Sequence, residues 1–298
     1  MISDRSRVIG QKFSRSAISY DAHAQVQRIM ADQLTKSLVK WSSQALVETP
    51  AILEIGCGTG TLTQIVMNKW HEAKITAVDL ASEMIKVAKE RVLSTDNQCA
   101  STETLDTVCV NQNDRAERVD FIQADIETWV VDAPTSSFDI IISSACFQWL
   151  SNPLGTLVHL HRLLKPNGLL LFTTFGPDTF CEMHYAFNKA YRAYGLEPQR
   201  HGLSFLSLAQ WEILLMQSGY SSVCYDRTIH VKKYASARDF LHCVKAMGAS
   251  TSEAIPLGGH NLRNLFTAMY KEYEDTFSTQ GGVTATYDLL LVQSETTS

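Results

Sequence analysis

The sequence has no long apolar segment and little net charge. No apolar run approaches the 18 residues that suggest a membrane-spanning helix, so we expect no membrane association. The formal net charge is only -5, which argues against general electrostatic attraction to nucleic acid. With 298 residues, 45% of them hydrophobic, the chain can bury a substantial core as one elaborated domain or two small ones.

Paired cysteines and metal-ligand clusters are also missing. The seven cysteines form no C-x-x-C pair, and no secretory signal precedes them. His159 and His161 are too close for an i, i+4 pair on a helix, and no nearby cysteine or carboxylate completes a zinc-like set. We therefore expect a cytoplasmic protein with free thiols and no bound metal.

One local excess of charge stands out against this balance. Residues 1–40 carry seven lysines and arginines against three aspartates, a local charge of +4. This segment is a candidate surface for an acidic partner, through contacts that salt would weaken.

A glycine-rich turn follows the first apolar strand of the sequence. The run Ile52–Ile55 leads into Gly56, Gly58 and Gly60, and residues 62–70 have helical spacing. Three glycines in five residues indicate a ligand lying against the backbone at the carboxyl end of a strand. Read alone, the pattern also fits an ordinary glycine-rich turn.

A second strand makes a nucleoside ligand the better interpretation. It ends in Asp79, 23 residues after Gly56, where an acidic side chain can accept hydrogen bonds from a ribose diol. The glycine spacing is G-x-G-x-G rather than the dinucleotide pattern G-x-G-x-x-G, and Glu54 precedes the first glycine by two residues. The pattern therefore does not favour a ligand with a pyrophosphate.

The remaining periodicity predicts an alternation of strands and helices. An amphipathic helix over residues 22–41 precedes the first strand, and strands are predicted over 119–124, 138–144, 168–174, 223–231 and 285–292. Phe13–Asp21 has no strong period and is predicted to be an arm or a flap over the ligand. Ser82 is predicted to cap a helix, Pro166–Gly168 to form a turn, and residues 94–117 to form a polar surface insertion.

Motif I, residues 52–60, resembles the class I S-adenosylmethionine-dependent methyltransferases. Further stretches, in the same order along the chain, resemble the malonyl-[acyl-carrier protein] O-methyltransferases of biotin synthesis. They are residues 13–20 with His23, 147–149, 171–176, 182–184, 201–205, 244–249 and 284–287. Residues 94–117 depart from the shorter connection usual in that family. The resemblance covers nearly the whole chain.

The resemblance implies an α/β fold with a doubly wound, seven-stranded, mostly parallel sheet. It divides the chain into an N-terminal helical lid and helix (1–48), a cofactor-binding core (49–175) and substrate-capping helices with the last strands (176–298). It implies S-adenosylmethionine as the cofactor and S-adenosylhomocysteine as its product. The cofactor residues would be Glu54, Gly56, Gly58, Gly60, Asp79, Leu80, Met84, Asp125, Ile126, Ser143 and Gln148.

The implied reaction is methylation of the free carboxylate of a malonyl thioester carried by acyl carrier protein or by CoA. The candidate substrate residues are Tyr20, which lies in the expected lid, and Lys245, His201 and Arg200, which lie in stretches that resemble the family. Two alternatives stay open at this point. One is a methyltransferase for another carboxylate or for a quinone ring carbon, where Tyr20 or His23 would serve as a base. The other is a non-catalytic S-adenosylmethionine-binding protein.

Overall fold

The computed structural model describes residues 3–43, 48–94, 112–249 and 259–297 of the chain. Its strands are β1 (Ala51–Ile55), β2 (Lys74–Asp79), β3 (Val119–Gln123), β4 (Phe138–Ser144), β5 (Leu164–Phe175), β6 (Ser222–Tyr234), β7 (Ser278–Thr279) and β8 (Gly282–Glu295). Its α-helices are α1 (Asp4–His23), α2 (Gln25–Ser42), α3 (Thr61–Lys69), α4 (Ser82–Leu93), α5 (Gln112–Arg118), α6 (Ile126–Asp132), α7 (Pro153–Leu163), α8 (Cys181–Ala193), α9 (Leu208–Gln217), α10 (Ala237–Ala246) and α11 (Gly259–Phe277).

The strands form one sheet in the order β3-β2-β1-β4-β5-β8-β6. The first five are mutually parallel, whereas β8 runs antiparallel to β5 and to β6. The two-residue β7 pairs with the start of β8 and was not expected from the sequence. The doubly wound, mostly parallel fold that the sequence predicted is therefore confirmed, and β6 is an edge strand of 13 residues.

The sheet is buried on both faces because helices cover each side. Along β5, Leu170 and Phe172 pack into one apolar cluster, and Leu169 and Leu171 pack into the cluster on the opposite face. All four side chains are completely buried, as expected for a central strand of a parallel sheet. A third cluster packs α8, α10 and α11 against β8, at the side of the sheet away from β3.

The register brings the carboxyl ends of β1, β2 and β4 together. Ile55 pairs with Val78 on one side and with Ser143 on the other. Asp79, the last residue of β2, pairs with Gln123, the last residue of β3. The glycine turn, Asp79 and the residues after β3 therefore meet at one edge of the sheet, where ligands bind in open α/β sheets.

The N-terminal stretch Phe13–Asp21, predicted to be an arm or a flap without a strong period, lies within the helix α1. The buried face of α1 is formed by Ser6, Ile9, Gly10, Ser16 and Ala17, which have helical spacing. Three of these five are serine or glycine, so the period is hidden from a hydrophobic pattern. The helix packs mainly against α4 and α10.

Two other local predictions were wrong in detail. Ala81, not Ser82, is the N-cap of α4, and no side chain caps that end. Pro166–Gly168 lies within β5 as a bulge, with Asn167 at φ 60°, rather than as a turn between elements. The predicted insertion at 94–117 lies mostly outside the described residues, but its last part, from Gln112, belongs to the helix α5. The division of the chain at residues 48 and 175 stays a prediction.

Candidate cofactor and substrate sites

The glycine turn brings bare backbone to the carboxyl edge of the sheet. Gly56 has φ 71°, and a Cβ there would lie 2.5 Å from Cys146 Sγ, so no side chain fits. Gly58 has φ 53°, and a Cβ there would meet nothing within 4 Å. Gly56 is therefore required by packing, whereas the backbone at Gly58 faces open space that a ligand can fill.

Asp79 connects the glycine turn to the start of α4. Its Oδ2 accepts a hydrogen bond from Gly58 N at 2.8 Å, and its Oδ1 accepts one from Ala81 N at 2.8 Å. Burial raises the pKa of Asp79, and these backbone donors act in the opposite direction. The two donors fix the carboxylate at the rim of the cleft, and each oxygen keeps a second lone pair for the hydroxyls of a ribose.

Glu54 lies deep at the other end of the cleft. It is 2% exposed and lines a recess with Gly56, Gly58 and Tyr20, and no described group donates a hydrogen bond to its Oε2. Burial raises its pKa to about 8. When Glu54 ionises, a buried carboxylate oxygen is left without a hydrogen bond, which is costly, and a cation beside it would remove that cost. The ammonium group of S-adenosylmethionine fits this requirement.

The adenine end of such a ligand would lie beyond Asp79. Asp125 is the N-cap of α6, where its Oδ1 accepts a hydrogen bond from Glu127 N at 3.1 Å. Asp125 and Ile126 line the same cleft as Asp79, and so do Leu80 and Met84. A cleft lined by a carboxylate and three apolar side chains suits an aromatic base that carries an amino group.

Three of the predicted cofactor residues lie outside the wall of this cleft. Gly60 packs against α4, since a Cβ there would lie 2.9 Å from Ala88 Cα. Ser143 is fully buried and donates to Ile55 O at 2.9 Å, which joins β4 to β1. Gln148 lines the neighbouring cavity, where its amide is held by Ala145 O at 2.7 Å and by Thr174 Oγ1 at 3.0 Å.

The helix α1 covers the cleft. Phe13 packs edge-on against Trp149, with ring centroids 5.3 Å apart, and Tyr20 lies next to Phe13. The end of the helix is fastened to the glycine turn, because Asp21 accepts hydrogen bonds from Thr59 Oγ1 at 2.8 Å and from Arg91 of α4. Burial, reinforced by the Asp79 carboxylate, raises the pKa of Tyr20, so its phenol is neutral at physiological pH.

A larger cavity of about 550 Å³ opens beside the cofactor cleft. Its wall consists mainly of apolar side chains from β5, α8, α10 and α11, including Phe175, Phe180 and Phe266. Four residues, Phe13, Tyr20, Ala145 and Trp149, line both this cavity and the cofactor cleft. They mark the junction through which a group can pass from one bound molecule to the other.

The three predicted cationic residues take different places around this cavity. Lys245 is exposed and lines the cavity from α10. His201 is buried in the wall, stacked on Phe187 with ring centroids 3.8 Å apart and within 2.9 Å of the Tyr191 hydroxyl. Burial lowers the pKa of His201 to about 4, so its ring is neutral at physiological pH. Arg200 donates to Leu203 O at 3.1 Å and does not line the cavity.

The sequence interpretation missed two polar residues of the cavity, Arg238 and His242. Both belong to α10 and line the cavity with Lys245. Arg238, His242 and Lys245 follow one another at intervals of four and three residues, which places all three on one side of a helix. That spacing could have been recognised in the sequence, whereas the fastening of Asp21 by Arg91 could not, because 70 residues separate them.

Neither a cluster of metal ligands nor a helix that could span a membrane occurs in the described ranges. Across those residues, no group of three or more histidine, cysteine, aspartate or glutamate side chains is placed to hold a metal ion. None of the helices described is long and apolar enough to cross a membrane.

Known proteins with similar sequences share one description. Residues 22–225 match the family model described as a methyltransferase domain. A malonyl-[acyl-carrier protein] O-methyltransferase of Paenibacillus sp. (strain JDR-2) is 48% identical over 95% of this chain and 96% of its own length. The protein with the same description from Brevibacillus brevis is 38% identical over 97% of this chain and 96% of its own length.

Two solved structures have a fold similar to that of this chain. The YcgJ protein of Bacillus subtilis superposes with a TM-score of 0.56 at 17% identity, over 89% of this chain and 99% of that one. The phosphoethanolamine N-methyltransferase 2 of Haemonchus contortus, solved with S-adenosylhomocysteine, gives a TM-score of 0.53 at 15% identity, over 90% of this chain and 53% of its own. With relatives that match along almost their whole length, the chain belongs to the malonyl-[acyl-carrier protein] O-methyltransferase family.

Proposed function

We propose that this protein transfers the methyl group of S-adenosylmethionine to the free carboxylate of a malonyl thioester. The product would be the methyl ester with which pimeloyl synthesis for biotin begins. The observation that carries the proposal is the junction of the two cavities at Tyr20, Ala145 and Trp149, in a chain from this family. One cavity suits a nucleoside with a cationic tail, and the other suits an acyl chain.

The cofactor residues follow from the shape of the cleft. We assign the ammonium group to Glu54, the ribose hydroxyls to Asp79, and the adenine to Asp125 and Ile126. Gly56 and Gly58 line both the recess of Glu54 and the cleft of Asp79, and Leu80 and Met84 line the cleft with Asp79. When bound, the cofactor supplies an electrophilic methyl group on a positively charged sulfur.

The chain needs no strong general base for this reaction. The carboxylate of the substrate is ionised at neutral pH, and one of its oxygens bonds to the methyl carbon as the carbon–sulfur bond breaks. Tyr20 with its raised pKa and His201 with its lowered pKa are both uncharged at that pH. They can donate hydrogen bonds or shape the cavity, and neither has to remove a proton.

Catalysis would then come from orientation and from the exclusion of water. Phe13 and Trp149 close the junction from one side, and the fastened end of α1 holds Tyr20 over it. In well-oriented systems such positioning contributes up to about 7–11 kcal/mol to lowering a barrier. A dry junction also strengthens the attraction between the carboxylate and the positive sulfur.

The substrate carboxylate needs a cation or several donors, because burying it without partners would cost several kcal/mol. We assign this role first to Lys245, which lines the cavity on α10. Arg200 and His201 are weaker candidates, because Arg200 lies outside the cavity wall and His201 is neutral.

The carrier of the malonyl group is proposed to be an acyl carrier protein, with malonyl-CoA as the alternative. The basic N-terminal segment, with +4 over residues 1–40, would attract an acidic carrier. We propose a reducing cytoplasm as the place of action. The cysteines that the structure describes support this, because each is unpaired: Cys57, Cys146, Cys181, Cys224 and Cys243.

The test is a methyl-transfer assay with labelled S-adenosylmethionine. Malonyl-carrier protein and malonyl-CoA should yield a methyl ester that alkaline hydrolysis releases as methanol. Acetyl-carrier protein, which lacks the free carboxylate, is the matched control and should take up no label. Equal labelling of the acetyl and malonyl substrates, or no labelling of either malonyl thioester, would contradict the proposal.

A further inference from the structure

Three basic side chains form one stripe along α10 at the cavity. Arg238, His242 and Lys245 follow one another at intervals of four and three residues, so they lie on the same side of the helix. All three line the cavity, and all three are exposed. The interior of the cavity is mainly aromatic and aliphatic. The basic side chains that line the cavity from α10 are therefore exposed along one side of that helix.

This stripe has no acidic partner in the part of the chain that the structure describes. The ion pairs found there involve other residues. Arg238 instead lies over the ring of Tyr270, with Cζ 5.1 Å from the centroid. Asp239, its neighbour, accepts a hydrogen bond from Ser236 Oγ at the start of the helix. The ring of Tyr270 supports the guanidinium while leaving its N–H groups available to an anion.

The direction of α10 orders the three side chains relative to the cofactor. Gln27 Nε2 donates a hydrogen bond at 3.5 Å to Sδ of Met247, which lies just beyond the helix. Gln27 also lines both the recess of Glu54 and the substrate cavity. The Lys245 end is therefore the one nearer the cofactor. Arg238 lies seven residues away, about 10 Å along the helix axis, on the side of Tyr270. A substrate whose carboxylate is near Lys245 would extend towards Arg238.

We propose that Arg238, supported by His242, is a subsite for the phosphate group on the arm that carries the malonyl thioester. This inference rests on the proposed function and adds a second anion site to it. Acyl carrier protein and CoA both attach the thioester through a phosphorylated pantetheine, so one subsite would serve both. A guanidinium can form two parallel hydrogen bonds to phosphate, which a lysine cannot reproduce.

The experiment compares substrates with and without that phosphate. Kinetics are measured for malonyl-carrier protein, malonyl-CoA and phosphate-free malonyl-pantetheine, with the full chain and saturating S-adenosylmethionine. In Arg238→Gln, KM should rise about tenfold for both phosphate-bearing substrates, with kcat and the KM for malonyl-pantetheine unchanged. Arg238→Lys should recover part of the loss. The control variant Arg192→Gln removes an exposed arginine of α8 that does not line the cavity, and it should match the wild type.

Any other pattern of KM values among the three substrates overturns the inference. An equal rise in KM for malonyl-pantetheine means that Arg238 acts on the acyl group or on the fold. A rise for the carrier alone means that Arg238 contacts the carrier protein, and a rise for CoA alone means that it contacts the nucleotide. Unchanged KM values for all three substrates exclude the subsite.

Binding without turnover separates this inference from the proposed function. Titration of the S-adenosylhomocysteine complex with phosphopantetheine and with pantetheine should show tighter binding of the phosphorylated form, lost in Arg238→Gln. If the wild-type protein methylates no malonyl thioester, the proposed function fails while this comparison still decides the phosphate subsite. Equal affinities for the two ligands would overturn the subsite.

Discussion

The pH dependence of cofactor binding should report directly on Glu54. Burial raises the pKa of this carboxyl to about 8, and its Oε2 has no hydrogen-bond partner among the described residues. Near pH 7 the ligand-free protein should therefore hold Glu54 mostly protonated. An ammonium group in the recess favours the ionised form, so binding should release a proton.

The size of the effect follows from that pKa. With a pKa of about 8, roughly 1% of Glu54 is ionised at pH 6 and about 10% at pH 7. If only the ionised form binds the cation tightly, the affinity for S-adenosylmethionine should rise about tenfold between these two values. The amino group of the ligand, with an ordinary pKa of about 7.7–8.0, stays mostly protonated over this range. Binding at pH 7 should release about 0.9 proton.

Calorimetry in buffers of different ionisation enthalpy measures the affinity for the cofactor and the number of protons released on binding. Glu54→Gln should bind more weakly and lose the tenfold dependence and the proton release. Glu83→Gln, at an exposed carboxylate that pairs with Lys86, is the matched control and should keep them. The reasoning would be refuted by a wild-type affinity that is constant from pH 6 to 7, or by proton release that persists in Glu54→Gln.

The raised pKa of Glu54 also predicts how the stability of the ligand-free protein depends on pH. Because the folded-state pKa lies above the ordinary value, the contribution of Glu54 to stability is complete below about pH 4 and is lost as the pH rises through about 8. Thermal unfolding should show this decline in the wild type relative to Glu54→Gln, and saturating cofactor should reduce it.

Three further substitutions test the rest of the site. Asp79→Ala removes the acceptor for the ribose and should weaken cofactor binding by about 1.5–3 kcal/mol in a protein that calorimetry shows to be folded; unchanged affinity would refute the assignment. Arg91→Gln removes the ion pair that holds Asp21 at the end of α1, and this pair is only partly exposed. We therefore expect the cofactor to dissociate about two to five times faster, as measured by stopped flow. Lys86→Gln, in an exposed ion pair, is the control and should leave the rate unchanged. Lys245→Met should raise KM or lower kcat for malonyl thioester about tenfold while the cofactor Kd is unchanged; wild-type kinetics would direct the same assay to Arg200 and His201.

The core of the fold could be predicted because its signals are local. The alternation of apolar strands and amphipathic helices, and the turn after β1, follow from residues within a few positions of one another. The central strands also carry β-branched or leucine runs that match their burial on both faces, as in Ile140–Ile142. Parallel pairing then brings Glu54, Asp79 and Asp125 to one edge without any knowledge of side-chain contacts.

The lid and the substrate cavity could not be predicted in the same way. In α1 the buried face is made of small and polar side chains, so the hydrophobic pattern does not show the helix. His201 looked like a cation, but its neutral state depends on burial against Phe187, a contact that only the tertiary structure creates. The difference between Gly58, which faces open space, and Gly60, which packs on Ala88, likewise depends on a neighbouring helix.

The edge strand β6 has a consequence for how molecules of this protein meet one another. An exposed strand of 13 residues offers unpaired backbone groups to the edge of a second sheet, which is a route to aggregation. Three apolar or aromatic side chains on this strand are each at least half exposed, which adds apolar surface for a second strand to contact: Tyr225, Ile229 and Val231. The charged side chains Asp226, Arg227, Lys232 and Lys233 alternate with or flank them. Pairing of a second strand there would bring these charges against the side chains of that strand, so we expect the charges to disfavour edge-to-edge association.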